Sequence, residues 1–217
     1  PPESAALLTD LAARTAAVVG GRPPGGMVPV SARQFYRYLT RNTPLQHRPS
    51  YHLATDLLAR EGEAYSRVLL RAAPPDGALA GDAGVLFPPA LDACTHTGIL
   101  AGPIPTDFFF SLPVSYGRMF VWPAAAAAAG GGHAHSYALM RPFKHDPAVD
   151  PHLTDTCVMD ILVSTAAGAP AVLMEGLIMH QMREARPPPL MCTPVARVAG
   201  RVEEAAAAAA FPPGSAV

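Results

Sequence analysis

The chain has 217 residues, of which 50% are hydrophobic and 15% are charged, so it can bury a sizeable core and is not disordered over most of its length. Its 16 basic and 17 acidic side chains give a formal net charge of -1, which leaves no basic excess for phosphate contacts and argues against nucleic acid as a partner. The three cysteines, Cys94, Cys157 and Cys192, are far apart and odd in number, which excludes a disulfide framework and a CxxC zinc site.

The first predicted element of the folded part is a helix over 30–42. Ser31 is its candidate N-cap, because a serine oxygen accepts a hydrogen bond from an amide of the first turn. Helical spacing then places Phe35, Tyr38 and Leu39 on one face.

The remaining elements predict a sheet around a second helix. Residues 51–70 are typical of two strands joined by a turn at Glu61–Gly62. The segment 89–102 follows prolines and ends at a glycine, which predicts a helix. Four β-rich runs follow, at 108–122, 135–143, 155–165 and 170–182. This order predicts an α+β fold, in which an antiparallel sheet curls around a buried helix.

Proline and glycine cluster in low-complexity joints, which are typical of loops and linkers. The joints lie at 20–29, 73–84, 124–135 and 185–194. They divide the chain into a linker with a short helix at 1–27, a folded domain at 28–183 and a Pro/Ala-rich exit linker at 184–217.

No segment of the sequence is typical of a membrane span or a secretory signal. The longest apolar stretch, 108–121, is interrupted by Pro113, Gly117 and Arg118 and falls short of about 18 consecutive apolar residues. The first residues lack a basic region followed by an apolar block. We therefore expect no membrane partner and a cytoplasmic location.

Asp92 and His96 are the candidate catalytic residues, on the predicted helix over 89–102. A spacing of four puts them on one helical face and within reach of each other. Asp92 is either a functional carboxyl in an apolar cleft or an acid that interacts with the helix dipole, with a satisfied histidine behind it. Cys94 faces another way and is predicted to be a core residue.

Other chemistries find little support in the sequence. His133 and His135 are a possible metal-binding pair, but they lie in a Gly/Ala-rich joint with no carboxylate nearby before Asp146. Two ligands alone bind a metal weakly, so we predict no metal site. GxSxG, GxGxxG and P-loop patterns are absent from the sequence, which argues against a serine-hydrolase elbow and against dinucleotide or triphosphate chemistry.

The stretch FPPALDACTH, from Phe87 to His96, resembles the HPALLDxxxQ/H motif of dehydratase domains in modular polyketide synthases. The family's aspartate matches Asp92 and its later polar residue matches His96, whereas its initial histidine is Phe87 here. In the family this motif opens the helix of the second, C-terminal half of a double hot-dog. The resemblance therefore implies a hot-dog fold and half of a double hot-dog.

Flanking segments extend the resemblance over about 30–183. The helix segment QFYRYL is similar to the family's FYxxL helix, and His47 to Tyr51 keeps the proline and an aromatic of its YGPxF-like turn but lacks Tyr-Gly. Downstream, SLPVSYGRMFVW and PAVLMEGLIMHQM look like the family's LPxS strand and its closing strand.

The resemblance implies a lyase that converts a 3-hydroxyacyl thioester to the 2-enoyl thioester. In the family the base is a histidine in an HxxxGxxxxP motif on the first hot-dog half. None of the eight histidines here has Gly at the fourth and Pro at the ninth following position, so the first half is expected to be absent from this chain. Asp92 takes the role of acid, and His96 orients it or the hydroxyl.

The same resemblance implies where the acyl chain and the partners lie. The candidate substrate-binding residues are Leu91, Leu112, Pro113, Val114 and Tyr116. No directly bound cofactor is expected, because the substrate arrives on the phosphopantetheine arm of an acyl carrier protein. The other expected partners are the first hot-dog half and, by analogy with the pairing of hot-dog modules, a second copy of the parent multifunctional synthase.

Three other functions stay open at this point. A product-template domain, which closes aromatic rings, shares the double hot-dog and also has an Asp-x-x-x-His spacing like that of Asp92 and His96. A non-catalytic hot-dog within the same synthase would be purely structural. A free-standing single hot-dog thioesterase is disfavoured by the linker-like ends.

Overall fold

A computed structural model describes residues 2–42, 51–70, 88–102, 109–128, 132–141 and 156–183. Their elements are α1 (Pro2–Val19), β1 (Val28–Val30), α2 (Ala32–Asn42), β2 (Ala54–Arg60), β3 (Glu63–Leu69), α3 (Pro88–Ala101), β4 (Phe109–Val121), α4 (Pro123–Ala128), β5 (His133–Met140), β6 (Thr156–Thr165) and β7 (Pro170–Arg183). The unit that contains them ends at Arg183, and the predicted exit linker at 184–217 lies outside the described residues. Among the described helices, none has the length and apolar character needed to span a membrane.

Seven strands form one antiparallel sheet in the order β1-β2-β3-β5-β6-β7-β4. The predicted hairpin between β2 and β3 is confirmed, with Gly62 at a φ of 79° in its turn, a conformation that glycine adopts without strain. The predicted strands after α3 are confirmed as β4 to β7. The short strand β1, which pairs with β2, was not predicted.

Helix α3 lies against the inner face of the sheet and contacts β2, β3, β5 and β6. Its packing face is built from small residues such as Ala90, Ala93 and Cys94, all fully buried. Gly98 allows the closest approach, because a Cβ there would lie 3.0 Å from the sulfur of Met159. The predicted helix inside a curled sheet is therefore confirmed, and small side chains permit the curl.

Two buried polar contacts fix α3 on the sheet. The hydroxyls of Ser66 on β3 and Thr97 on α3 lie 2.6 Å apart, and Ser136 on β5 donates a hydrogen bond of 3.0 Å to the carbonyl oxygen of Cys94. Since buried polar groups are costly to leave unpaired, these contacts favour one rotation of α3 about its axis.

Helix α1 packs on the outer face of the sheet. Leu11 and Val18 are buried against Tyr65, Tyr137 and Leu162. The helix has 18 residues and shares the sheet's outer core, so the folded unit begins before residue 28. The sequence predicted only a short helix within a linker here, because the buried residues of α1 are few and widely spaced.

A buried carboxylate joins α1 to the sheet. Glu63 is 2% exposed; Tyr137 donates to it at 2.6 Å, and Arg14 of α1 and Arg60 of β2 also pair with it. Burial alone would raise the pKa of Glu63, but the hydrogen bonds from these three partners lower it below its ordinary value. The carboxylate is therefore kept charged, and it ties together one helix and three strands.

Helix α2 is confirmed with its predicted cap, because the amide of Gln34 donates to the hydroxyl oxygen of Ser31 at 3.4 Å. Phe35 and Leu39 are buried and Tyr38 is partly buried, as expected if the three share the face of α2 that packs on the core.

The predicted Gly/Ala-rich loop at 124–135 was wrong in two places. Its alanines form helix α4, which begins at Pro123, because alanine has the highest helix propensity and proline fits the first helical position. His133 and His135 lie on β5, opposite Leu69 and Arg67 of β3. They belong to the sheet rather than to a loop.

We predict that Glu63→Gln lowers the free energy of unfolding by about 1–2 kcal/mol, since its arginine partners are about one-third exposed and the charge contribution is screened. Because the folded-state pKa of Glu63 is lowered, its contribution is complete above the ordinary glutamate pKa and is lost as pH falls below it. Urea unfolding across this range measures both effects. Glu61→Gln, at the exposed turn between β2 and β3, should change neither; equal pH profiles for wild type and Glu63→Gln would contradict the prediction.

We also predict that Gly98→Ala destabilises the fold by about 1 kcal/mol or more, despite alanine's higher helix propensity. The new Cβ would meet Met159 at 3.0 Å and Ile161 at 3.1 Å, and both neighbours are fully buried. Thermal unfolding measures the effect, with Gly25→Ala, which meets nothing within 4 Å, as the control. A stabilised Gly98→Ala variant would show that α3 is not packed this closely.

Candidate active site

The first half of α3 presents Asp92 to the protein surface. The helix begins at Pro88, so Asp92 is its fifth residue and lies beyond the first turn, where the helix dipole and capping act most strongly. The hydroxyl of Thr95 donates to the backbone carbonyl of Asp92 at 2.8 Å. The interpretation of Asp92 as a helix-start acid is therefore not supported.

His96 lies directly beneath Asp92. Its Nε2 atom is 3.2 Å from Oδ2 of Asp92, so the predicted one-face arrangement of the pair is present. The side chain of Asp92 is 37% exposed, whereas that of His96 is 2% exposed. The carboxyl thus faces accessible space, and the imidazole supports it from the core.

Aromatic side chains of α2 hold the ring of His96. The edges of Phe35 and Tyr36 meet this ring, with centroids 6.2 Å and 5.7 Å away. Tyr36 is fixed in turn, because its hydroxyl oxygen accepts a 2.7 Å hydrogen bond from the amide of Ala54 and its ring stacks on His52 at 4.2 Å. The orientation of His96 therefore depends on α2 as well as on α3.

Asp92 opens into a cavity of about 350 Å³ between α3, β4 and β7. The lining residues are Pro88, Leu91, Asp92, Thr95, Pro113, Ser115, Tyr116, Met119, Met174 and Leu177. Most of these side chains are apolar, and the carboxyl of Asp92 is the one ionisable group among them apart from the Tyr116 phenol. The arrangement suits an apolar chain that carries a polar group toward Asp92.

The predicted substrate-binding residues are partly gathered here. Leu91, Pro113 and Tyr116 line this cavity together with Asp92, and Tyr116 is 53% exposed. Leu112 and Val114 lie on β4, but their side chains are outside the part of the chain that the structure describes. Their contact with substrate stays a prediction.

Several lining residues escaped the sequence reasoning. Met119 is opposite Met174, and Tyr116 is opposite Leu177, in the pairing of β4 with β7. Only this pairing brings β7 to the cavity. Ser115 follows an irregularity in the register after Pro113, which alternation along β4 does not reveal.

The other candidate chemical groups are not at this site. Cys94 is fully buried and burial raises the pKa of its thiol, which confirms it as a core residue. His133 and His135 lie on the opposite face of the sheet. Within the described ranges, no group of three or more His, Cys, Asp or Glu side chains could hold a metal ion.

Comparison with known proteins identifies the fold and the family. A family model described as "Polyketide synthase dehydratase N-terminal domain" matches residues 14–189. No curated protein matches significantly.

Solved structures with the same fold are dehydratase domains. The dehydratase domain from the CurF module of Curacin polyketide synthase is 18% identical, with a TM-score of 0.52 over 71% of this chain and 48% of that chain. The dehydratase domain of PpsC from Mycobacterium tuberculosis, solved in complex with C12:1-CoA, is 19% identical, with a TM-score of 0.53 over 72% and 53%. The bifunctional dehydratase-cyclase domain in ambruticin biosynthesis is 17% identical, with a TM-score of 0.51 over 74% and 49%.

These matches confirm the predicted α+β hot-dog fold. The chain spans about half the length of the solved domains that it matches. The family description names an N-terminal domain, so the predicted C-terminal placement is not confirmed. Because the family model covers most of its length, the chain belongs to the polyketide synthase dehydratase family.

Proposed function

We propose that this chain is the aspartate-bearing half of a double hot-dog dehydratase, which removes water from a 3-hydroxyacyl thioester. The observation that carries the proposal is the partly exposed carboxyl of Asp92, which faces an apolar cavity and is backed by the buried His96. Inactive mutants of the CurK dehydratase, one with an aspartate replaced by asparagine and one with a histidine replaced by phenylalanine, are among the solved structures with this fold. They support a mechanism in which an aspartate and a histidine are both required.

The reaction needs one base and one acid. A base takes a proton from C2, the C2–C3 double bond forms, and the C3 hydroxyl leaves as water after an acid protonates it. Each proton transfer contributes roughly 10²- to 10⁴-fold in rate. Asp92 is the acid: it donates its proton to the leaving hydroxyl and is reprotonated before the next turnover.

His96 is a positioning residue for Asp92. Its ring is fixed by Phe35 and Tyr36, and its Nε2 meets one oxygen of the carboxyl. This contact limits rotation of the Asp92 side chain and directs the carboxyl into the cavity. A fixed donor loses less entropy when the substrate hydroxyl arrives.

The base is supplied by a partner hot-dog half. Strand β4 pairs with β7 on one side only among the described strands, and its exposed Tyr116 borders the Asp92 cavity. A second sheet that continues from this edge would close the cavity and bring a histidine over it. The aspartate motif favours the C-terminal half for this chain, whereas the matching family model is described as an N-terminal domain. The solved relatives are about twice as long as this chain, which leaves room for the other half.

The substrate is delivered on the phosphopantetheine arm of an acyl carrier protein within a cytoplasmic, dimeric synthase. The apolar lining from Leu91, Met119 and Leu177 accepts the acyl chain. The part of the substrate that carries the C3 hydroxyl then lies beside Asp92. Ring closure is the second candidate activity, because a relative with this fold is a bifunctional dehydratase-cyclase domain.

We predict that Asp92→Asn abolishes dehydration without unfolding the protein, because asparagine keeps the shape but cannot donate an acidic proton. The enzyme with both hot-dog halves is given a 3-hydroxyacyl carrier protein, and mass spectrometry follows loss of one water. Asp10→Asn, at an exposed position of α1, is the control and should keep full activity. Near-normal turnover by a folded Asp92→Asn enzyme would refute the assignment, and an unchanged substrate mass with the wild type would favour ring closure or a structural role.

We predict that His96→Gln is mild, within roughly ten-fold of the wild-type rate. Glutamine at the same helical position can reach the carboxyl of Asp92 with an amide donor, as the family motif accepts either residue. His96→Leu, which fills the pocket without a donor, should be slower. Steady-state rates and circular dichroism of both variants check this, and complete loss of activity in a folded His96→Gln would mean that His96 itself transfers a proton.

A further inference from the structure

Two strands that border the Asp92 cavity carry lining residues at a spacing that a regular strand does not allow. Strand β7 contributes Met174 and Leu177, and strand β4 contributes Tyr116 and Met119. Side chains of a regular strand alternate between its two faces, so residues three apart lie on opposite faces. One extra residue in each strand explains how both members of each pair reach the same cavity.

A β-bulge in β7 supplies this extra residue. Met159 of β6 is paired with Leu177 of β7. Two residues further along β6, Ile161 is paired with Met174, which is three residues away from Leu177. Asp160 of β6 is therefore opposite two residues of β7, which is the arrangement that defines a β-bulge. Strand β4 stays in register with β7 through this region, so the same spacing recurs there.

Glycines allow the backbone geometry of the bulge. Gly176 on β7 has a φ of 66°, a conformation that glycine adopts without strain. A Cβ on Gly176 would lie 3.7 Å from the amide nitrogen of Gly117 on β4, and a Cβ on Gly117 would lie 3.2 Å from the carbonyl oxygen of Glu175. The two backbones thus pack closely beside the residues that line the cavity.

The carboxylate of Asp160 binds the bulge from the outer face of the sheet. Its neighbours Met159 and Ile161 belong to the inner core around α3, so Asp160 between them faces the other side. The carboxylate is buried, and Oδ1 accepts a 2.8 Å hydrogen bond from the amide of Gly176. The guanidinium of Arg141 donates to both carboxylate oxygens, at 2.6 Å and 2.7 Å. Such charge-assisted hydrogen bonds are strong, and they fix the acceptor that holds Gly176.

We propose that Asp160 is a positioning residue of the acyl site, which sets the shape of the apolar wall of the Asp92 cavity through the bulge at Gly176. The inference rests on the proposed function, because it takes an acyl chain as the occupant of that cavity. Asp160 lies on the far side of the sheet and does not touch the substrate. By binding the bulge amide, it keeps Met174 and Leu177 on one face of β7. Asp160 thus affects which acyl chain fits, whereas Asp92 acts on the hydroxyl.

The test measures binding of 3-hydroxybutyryl and 3-hydroxyoctanoyl pantetheine amides to the enzyme with both hot-dog halves, by isothermal titration calorimetry. Asp160→Ala removes the acceptor of the bulge amide. We expect it to weaken binding of the octanoyl amide by roughly five- to ten-fold, the contribution of between one and two buried methylene groups. The butyryl chain ends just beyond C3, so its affinity should not change. Asp160→Asn keeps an oxygen for the amide of Gly176 and should restore most of the octanoyl affinity.

Glu63→Gln is the matched control, because it also alters a buried carboxylate on the outer face but lies away from the bulge. It should leave both affinities unchanged. Equal weakening of the two amides by Asp160→Ala, or the same octanoyl loss in Glu63→Gln, would mean that general stability is affected and would overturn the proposal. If Asp160→Ala does not fold, Gly176→Ala tests the bulge from β7, since alanine is strained at this φ, and the same dependence on chain length is expected.

Dehydration assays separate this inference from the proposed reaction. A wild-type enzyme that binds the octanoyl amide but removes no water from a 3-hydroxyoctanoyl carrier protein would refute the proposed reaction, and the effect of Asp160→Ala on binding would still test the wall. Unchanged octanoyl affinity in a folded Asp160→Ala enzyme, with or without a lower kcat, would overturn the positioning role of Asp160 at the acyl site. No binding of the octanoyl amide by the wild type would also overturn it.

Discussion

The fixed position of α3 inside the sheet determines where Asp92 and His96 lie in the candidate active site. Small residues on the helix, above all Gly98, let β6 approach closely, and the contacts of Ser66 with Thr97 and of Ser136 with the Cys94 carbonyl fix its rotation. With that rotation set, the i, i+4 spacing turns Asp92 toward β4 and puts His96 in the core. The chemistry of the carboxyl is thus a consequence of how a helix with few large side chains is buried.

The two faces of the sheet are packed by different kinds of side chain. The inner face is mostly apolar and surrounds α3, and the carboxyl of Asp92 lies at its rim beside an apolar cavity. The outer face carries charged and polar residues, which α1 covers in part. Glu63 is paired there by Arg14, Arg60 and Tyr137.

Local pattern was enough to predict α2, α3, the strands β2 to β7 and the central pair of Asp92 and His96. Proline before and glycine after a small-residue segment predicted α3, and helical spacing predicted that Asp92 and His96 share a face. What depends on non-local pairing could not be predicted. Met174 and Leu177 reach the cavity only through the register of β7 with β4. The packing of α1 was missed for the same reason.

The most direct test of the central claim is a structure of the enzyme, with both hot-dog halves, bound to a 3-hydroxyacyl pantetheine analogue that cannot react. We expect the 3-hydroxyl within about 2.6–3.2 Å of a carboxyl oxygen of Asp92, the acyl chain in the cavity bordered by Tyr116, and a histidine of the other half near C2. A ligand whose hydroxyl lies out of hydrogen-bonding reach of Asp92, with another acid beside it, would contradict the assignment of Asp92 as the catalytic acid.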